Sequence, residues 1–251
     1  MRNRYVIANW KMNLPPEGIG AYLDELGSAP KRDARLIVAP PFVYIPEVVR
    51  KGRGIAVAAQ NCGDQKSGAF TGEVSAAMLH DVGARFAIVG HSERRNVYKD
   101  TDEMIGRRMA MALENGLTPV LCIGEDLRVR DAGGVAEHLS SQIRAVSSDA
   151  LGLSGEVVVA YEPIWAIGTG RNASGAMVAE TVADIRSALQ RHWPSSRWDA
   201  PILYGGSVTP DNVGDLVANG NIDGFLVGGA SLDSRKFLAI YDGLVGRLAR
   251  A

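Results

Sequence analysis

The chain has 251 residues, 46% hydrophobic and 22% charged, ordinary values for a globular protein of one large domain or two small ones. Its 27 basic and 28 acidic residues leave a formal charge of −1, which excludes a broad cationic face for nucleic acid or an anionic membrane, so any anion site must be local. Two cysteines, Cys62 and Cys122, without Cys-x-x-Cys spacing or a His/Cys cluster, point to free thiols in a reducing cytoplasm and to no structural metal; no apolar run reaches membrane-spanning length, and the first residues lack a signal-peptide core.

In chain order, short β-branched runs alternate with helical patterns. Strands are predicted over Tyr5–Asn9, Arg35–Ala39, Ile55–Gln60, Phe86–Gly90, Thr118–Ile123, Val157–Tyr161, Ile202–Tyr204 and Gly224–Val227. Helices are predicted over Glu17–Leu26, Ile45–Arg50, Ser75–Val82, Thr101–Asn115, Val135–Ala145, Ser174–His192, Asp211–Ala218 and Asp233–Leu248. Thr101, Ser174 and Pro210-Asp211 read as helix starts, and Gly116 and Gly220 as stops. His80, His138 and His192 fall on these helices and are expected to face solvent.

Eight strands and eight helices at a mean repeat of about thirty residues describe a single (β/α)8 barrel, one domain over residues 1–251. A doubly wound open sheet shares the alternation, but no Gly-x-Gly-x-x-Gly follows the first strand.

Barrel active sites form where strands end. Asn9 and Lys11 follow the first strand, His91 the fourth and Glu162 the sixth; Gly205-Gly206-Ser207 ends the seventh and Gly228-Gly229 the eighth. The run Val157 to Tyr161 is wholly apolar, closes on the Glu162 carboxylate, and is followed by Pro163 and a hydrophobic segment ending Gly168-Thr169-Gly170. A base under a hinged lid fits that pattern. Gly168, Ser207, Gly228 and Gly229 offer backbone N–H groups for a phosphate, and a short helix is expected to open after the eighth strand. Glu162 would take a proton from carbon next to a carbonyl, with Lys11, His91 and Asn9 as donors to the resulting enediolate. Ser92-Glu93 after His91 reads as a helix start, which disfavours an imidazolium. Glu93 either orients Lys11 or caps that helix.

Seven motifs carry a resemblance that runs the length of the chain: Asn9-Trp10-Lys11-Met12-Asn13, Gly68-Ala69-Phe70-Thr71-Gly72-Glu73, Gly90-His91-Ser92-Glu93-Arg94-Arg95, Cys122-Ile123-Gly124-Glu125, the Glu162 segment, Tyr204-Gly205-Gly206-Ser207-Val208, and Leu226-Val227-Gly228-Gly229-Ala230-Ser231-Leu232. By these the chain resembles the triosephosphate isomerase family. The resemblance implies a TIM barrel that interconverts dihydroxyacetone phosphate and D-glyceraldehyde 3-phosphate, a glycolytic and gluconeogenic step, without cofactor or metal. It implies Glu162 as base and His91 as electrophile, roles already known for this enzyme. Lys11 and Asn9 become electrostatic partners, with Glu93 supporting Lys11. Pro163, Ile164, Trp165, Ala166, Ile167, Gly168 and Thr169 form the lid, and Ile167 with Leu226 presses on Glu162 to raise its basicity. It also implies a homodimer in which the Phe70-Thr71-Gly72 loop reaches the partner near the Lys11 segment.

Three rivals share parts of this pattern. Lys11 as a Schiff-base amine would make an aldolase-like lyase. The same residues would serve a longer phosphosugar such as an erythrulose phosphate. A phosphosugar-binding protein without turnover would lack the base, and Glu162 is present. Cys122 reads as packed core rather than a nucleophile.

Overall fold

Eight parallel strands close on themselves in chain order: β1 (Tyr5–Asn9), β2 (Arg35–Ala39), β3 (Ala56–Ala59), β4 (Phe86–Val89), β5 (Thr118–Ile123), β6 (Val158–Tyr161), β7 (Ile202–Tyr204) and β8 (Gly224–Val227), which pairs back onto β1. The computed structural model describes residues 2–29, 33–146, 150, 152–167 and 173–246. Closure excludes the open doubly wound sheet, because β1 pairs both β2 and β8 and leaves no edge.

The strands read as apolar runs because both of their faces are covered. Ile7, Ile37, Ile88, Val120, Val158, Leu203 and Leu226 fill the barrel interior, while the alternate positions Val6, Val38, Val89, Leu121, Val159 and Val227 pack outward under the helices. Every one of these is at most 3% exposed, so each contributes about 1.5–3 kcal/mol relative to an exposed position. Tyr5 and Phe86 meet edge to face at 5.7 Å in the interior cluster.

The helices that wrap the barrel are α1 (Ile19–Ser28), α2 (Ile45–Lys51), α3 (Ala76–Asp81), α4 (Ser92–Asn96), α5 (Asp102–Glu114), α6 (Leu127–Asp131), α7 (Val135–Ala145), α8 (Gly175–His192), α9 (Val213–Asn219) and α10 (Ser234–Gly246). Thr101 and Ser174 cap α5 and α8 as expected, their hydroxyls accepting the N–H of Met104 and Met177. Of two short helices outside the eight expected by period, α4 realises the start read at Ser92-Glu93 and α6 is new; at five residues each they are too short to show a period. Pro210-Asp211 opens a helical turn closed by the Val213 N–H on the Thr209 carbonyl at 3.1 Å, and the regular part of α9 follows from Val213. Of the helix histidines His80 is exposed, whereas His138 and His192 are half-buried, with ring Nε2 3.2 Å from the Gly124 carbonyl and 3.0 Å from Ser140 Oγ.

Candidate active site

The ends of β1, β4, β6, β7 and β8 converge on one cavity of about 270 Å3, lined by Asn9, Lys11, His91, Glu162, Ile167, Ser207, Leu226, Gly228 and Gly229 together with Gly205, Gly206, Val208, Thr209 and Ala230. Of the residues singled out for chemistry, Glu93 stands just outside this lining and touches Lys11 instead. Gly168 and Thr169 lie outside the described residues.

Asn9 is the last residue of β1, and its side-chain Oδ1 accepts the Lys11 N–H at 3.1 Å. That turn holds Lys11 at φ 53°, a left-handed conformation that costs a non-glycine residue about 1–3 kcal/mol. Gln60 stabilises it, donating from Nε2 to the carbonyls of both Lys11 and Ala39 at 2.8 Å. Lys11 Nζ then reaches Glu93 Oε1 at 2.6 Å, and Glu93 at the same time stands in the first turn of α4. An ammonium engaged this way is not free to attack a carbonyl, which weighs against the Schiff-base reading.

His91 sits at the N-cap of α4, where its Nδ1 accepts the Glu93 N–H at 3.2 Å. The proton of the neutral ring therefore stands on Nε2, 3.0 Å from Glu162 Oε1. The second carboxylate oxygen of Glu162 accepts the Ser92 N–H at 2.9 Å. Both side chains are buried, at 7% and 2% exposure. Burial alone would raise the Glu162 pKa, but the His91 ring and the Ser92 N–H outweigh it and hold the carboxyl below its ordinary value. For His91, burial opposes charge, yet the adjacent carboxylate wins and holds the imidazole above its ordinary value. The helix start thus does not by itself lower the His91 pKa while Glu162 stays beside it.

The backbone under Glu162 is fixed by its neighbours. Its N–H donates to Ile123 O at 2.8 Å, and a Cβ at Gly124 would collide with the Glu162 carbonyl, so only glycine fits there. Gln142 of α7 grips Gly124 at both ends: Oε1 accepts its N–H at 2.9 Å and Nε2 donates to its carbonyl at 3.3 Å. The segment after Glu162 makes one 3-10 turn, Ile164–Ala166. Trp165 Nε1 donates to buried Glu125 at 2.8 Å, and the Arg130 guanidinium lies over the indole at 5.0 Å. Ile167 follows and faces the cavity with Leu226 and Glu162.

The turns after β7 and β8 supply the other wall. Gly229–Leu232 forms the short helix expected after β8, and no acceptor engages the Ser207 N–H among the described residues. Cys122 lies in the barrel interior, where burial pushes its thiol well above the ordinary range; it is core, not nucleophile.

The family model described as triosephosphate isomerase matches residues 4–244. The chain belongs to the triosephosphate isomerase family. It is 43% identical to the triosephosphate isomerase of Methylococcus capsulatus over 96% of this chain and 98% of that protein. The relative from Bacteroides fragilis is also 43% identical, over 96% and 99% of the two chains, and that from Rubrobacter xylanophilus 43%, over 98% of each. As a triosephosphate isomerase family member the chain is an enzyme of the aldose–ketose isomerase class. Four residues have supporting contacts that the sequence did not reveal: Gln60, Ser92, Glu125 and Gln142. Gln60 ends a predicted strand, so its rim position was readable; the other three act through backbone or lid contacts that leave no pattern.

Proposed function

We propose that the chain interconverts dihydroxyacetone phosphate and D-glyceraldehyde 3-phosphate by proton transfer at Glu162. The observation that carries this is the meeting of a carboxylate, an imidazole N–H, an ammonium and an amide with glycine turns around one small cavity. The Glu162 carboxylate takes a proton from the carbon next to the substrate carbonyl. The electron pair moves onto the carbonyl oxygen, giving an enediolate. His91 Nε2–H donates to that oxygen and takes the proton of the neighbouring hydroxyl, so the two oxygens exchange roles. Glu162 returns its proton to the adjacent carbon. One carbon is oxidised and its neighbour reduced, so the electrons balance without a cofactor or a metal. Lys11 and the Asn9 amide stabilise the developing oxyanion.

Both Glu162 oxygens are occupied, by His91 and Ser92. Catalysis requires the carboxylate to leave them, which also frees the His91 Nε2–H for substrate. Leaving removes the interactions that lower the Glu162 pKa and keeps the burial that raises it, so the base strengthens on engaging substrate. Closure of the segment from Pro163 to Thr169 presses Ile167 and Leu226 on the carboxylate, and excludes water from an enediol phosphate that would otherwise eliminate phosphate. The phosphate is received by Gly168, Ser207, Gly228 and Gly229.

The working form is a homodimer, and the chain is a single cytoplasmic domain. Large apolar side chains stand exposed on the loops after four consecutive strands: Met12 (92%), Val43 (79%), Phe70 (47%), and Val97 with Tyr98 (68% and 66%). A second copy covering them brings the Phe70-Thr71-Gly72 loop to the Lys11 segment. Both cysteines are free and buried, in keeping with a reducing compartment. No helix among the described residues is long and apolar enough to cross a membrane.

The test is a coupled NADH assay of D-glyceraldehyde 3-phosphate turnover with Glu162→Asp and Glu162→Ala alongside, and sedimentation at assay concentration. Large losses in both variants and a dimer are expected. Turnover indifferent to Glu162 overturns the mechanism, and a fully active monomer overturns the assembly.

A further inference from the structure

We propose that Asn212 is a positioning residue for the turn after β7, holding Ser207 and Thr209 in the one arrangement that receives the substrate's phosphate. The proposal rests on the phosphate-site reading above and goes beyond it to a side chain that does not line the cavity. Asn212 Nδ2 donates to the Ser207 carbonyl at 2.9 Å, and its Oδ1 accepts the Thr209 N–H at 2.9 Å. The two ends of the amide are fixed by chemistry, since a carbonyl only accepts and an N–H only donates. Its own N–H is turned toward Thr209 Oγ1 at 3.4 Å.

The amide therefore spans the two peptide units on either side of Val208. With the Ser207 carbonyl tied back, the Ser207–Val208 peptide cannot flip and present an oxygen to the cavity, where an anion needs donors. With the Thr209 N–H consumed, the Ser207 N–H is among the donors of this turn that no acceptor engages among the described residues. Asn212 immediately precedes α9, the usual place for a helix cap, yet its side chain makes no cap bond to that helix. It reaches backward instead, pairing reciprocally with Thr209 across the turn that leads into α9 and extending on to Ser207. The pair with Thr209 closes the helix entry, and the bond to the Ser207 carbonyl is the one that helix capping does not require.

The experiment compares native chain, Asn212→Ala and Asn212→Asp by three readouts. These are inhibition by inorganic phosphate, kcat/KM for D-glyceraldehyde 3-phosphate, and deuterium exchange into D-glyceraldehyde, which carries no phosphate. Asn212→Ala is expected to weaken phosphate inhibition and lower kcat/KM by about tenfold each, the scale of one lost hydrogen bond. Glyceraldehyde exchange is expected to keep its native rate. Asn212→Asp retains an acceptor for Thr209 and a good helix start but has no donor for Ser207, and is expected to lose phosphate affinity as well. Phosphate inhibition within about twofold of native in Asn212→Ala overturns the proposal. So does a parallel fall of glyceraldehyde exchange, or full rescue by Asp, since each marks a merely structural role. A native chain that phosphate does not inhibit overturns the underlying phosphate-site reading, and the proposal with it.

Discussion

His91 Nε2 and Glu162 Oε1 stand 3.0 Å apart, so the electrophile and the base of the proposed reaction occupy one another. Each is buried, and each is held away from its ordinary pKa mainly by the other acting against burial. The pairing stores the two catalytic groups in a satisfied form, and substrate must compete for both. Lys11 stays outside the pair, bound to Glu93.

The pair makes stability depend on pH in both directions. Glu162, its carboxyl depressed, adds stability above the unfolded carboxylate pKa that is lost as pH falls through the folded value. His91, its imidazole raised, adds stability that is complete below the unfolded imidazole pKa and lost as pH rises through the folded value. The stability difference between native chain and Glu162→Gln should therefore peak between the ordinary values of 4.5 and 6.5 and shrink on both sides. Thermal unfolding at a series of pH values measures it. A difference that climbs without a peak toward alkaline pH would contradict the pairing.

Gln142 acts on Glu162 from behind, through Gly124. Gln142→Leu leaves the buried Gly124 N–H unsatisfied, at a cost of about 1–3 kcal/mol that thermal unfolding reads. Because Gly124 is wedged against the Glu162 backbone, kcat should fall as well, with KM nearly unchanged. Gln142→Glu keeps the acceptor for that N–H and should recover part of both. Loss of stability with native kcat would confine Gln142 to a structural role.

The candidate set that lines the cavity was legible because barrel geometry ties such residues to one position per strand. Asn9, His91 and Glu162 are each the first polar group at the end of an apolar run, and a closed parallel sheet brings such ends together. What stayed hidden works through main-chain atoms. Gln60 and Gln142 bond to backbone of distant loops, and nothing in local composition marks a carbonyl that needs a donor. His138 escaped because helical period does not say whether a turn of α7 meets water or the Gly124 loop. Pro210-Asp211 is a sound helix-start signal, and the reciprocal Thr209–Asn212 pair that closes that first turn is the part it left unread.

Ile167 tests whether apolar contact strengthens the base. It shares the cavity with Glu162 and Leu226, and Ile167→Ala removes surface from closure without touching any polar group. A kcat loss of about tenfold, near 1.4 kcal/mol, is expected, with a smaller effect on binding of a substrate analogue. An unchanged kcat would remove the apolar clamp from the mechanism.

Gly205 gives the sharpest probe of Glu162 placement. A Cβ added there would stand 3.0 Å from Glu162 Cγ and 3.3 Å from the Tyr161 carbonyl. The backbone at Gly205 is not among those with positive φ, so alanine is conformationally acceptable and the cost falls on the neighbours. The Tyr161 carbonyl cannot yield, since it accepts the Gly205 N–H at 2.7 Å within the β6–β7 pairing. The Glu162 stem is the part that moves, by a few tenths of an ångström. Displacements of this size matter for a base that must meet one carbon–hydrogen bond, and about 1 Å already costs about a hundredfold. Gly205→Ala should therefore unfold within a few degrees of the native chain yet lose about tenfold or more in kcat, with phosphate inhibition unchanged. Kinetics and thermal unfolding of the one variant decide it: native kcat would show that Glu162 tolerates the crowding, and collapse of the fold would place the constraint in the strand pair rather than in the base.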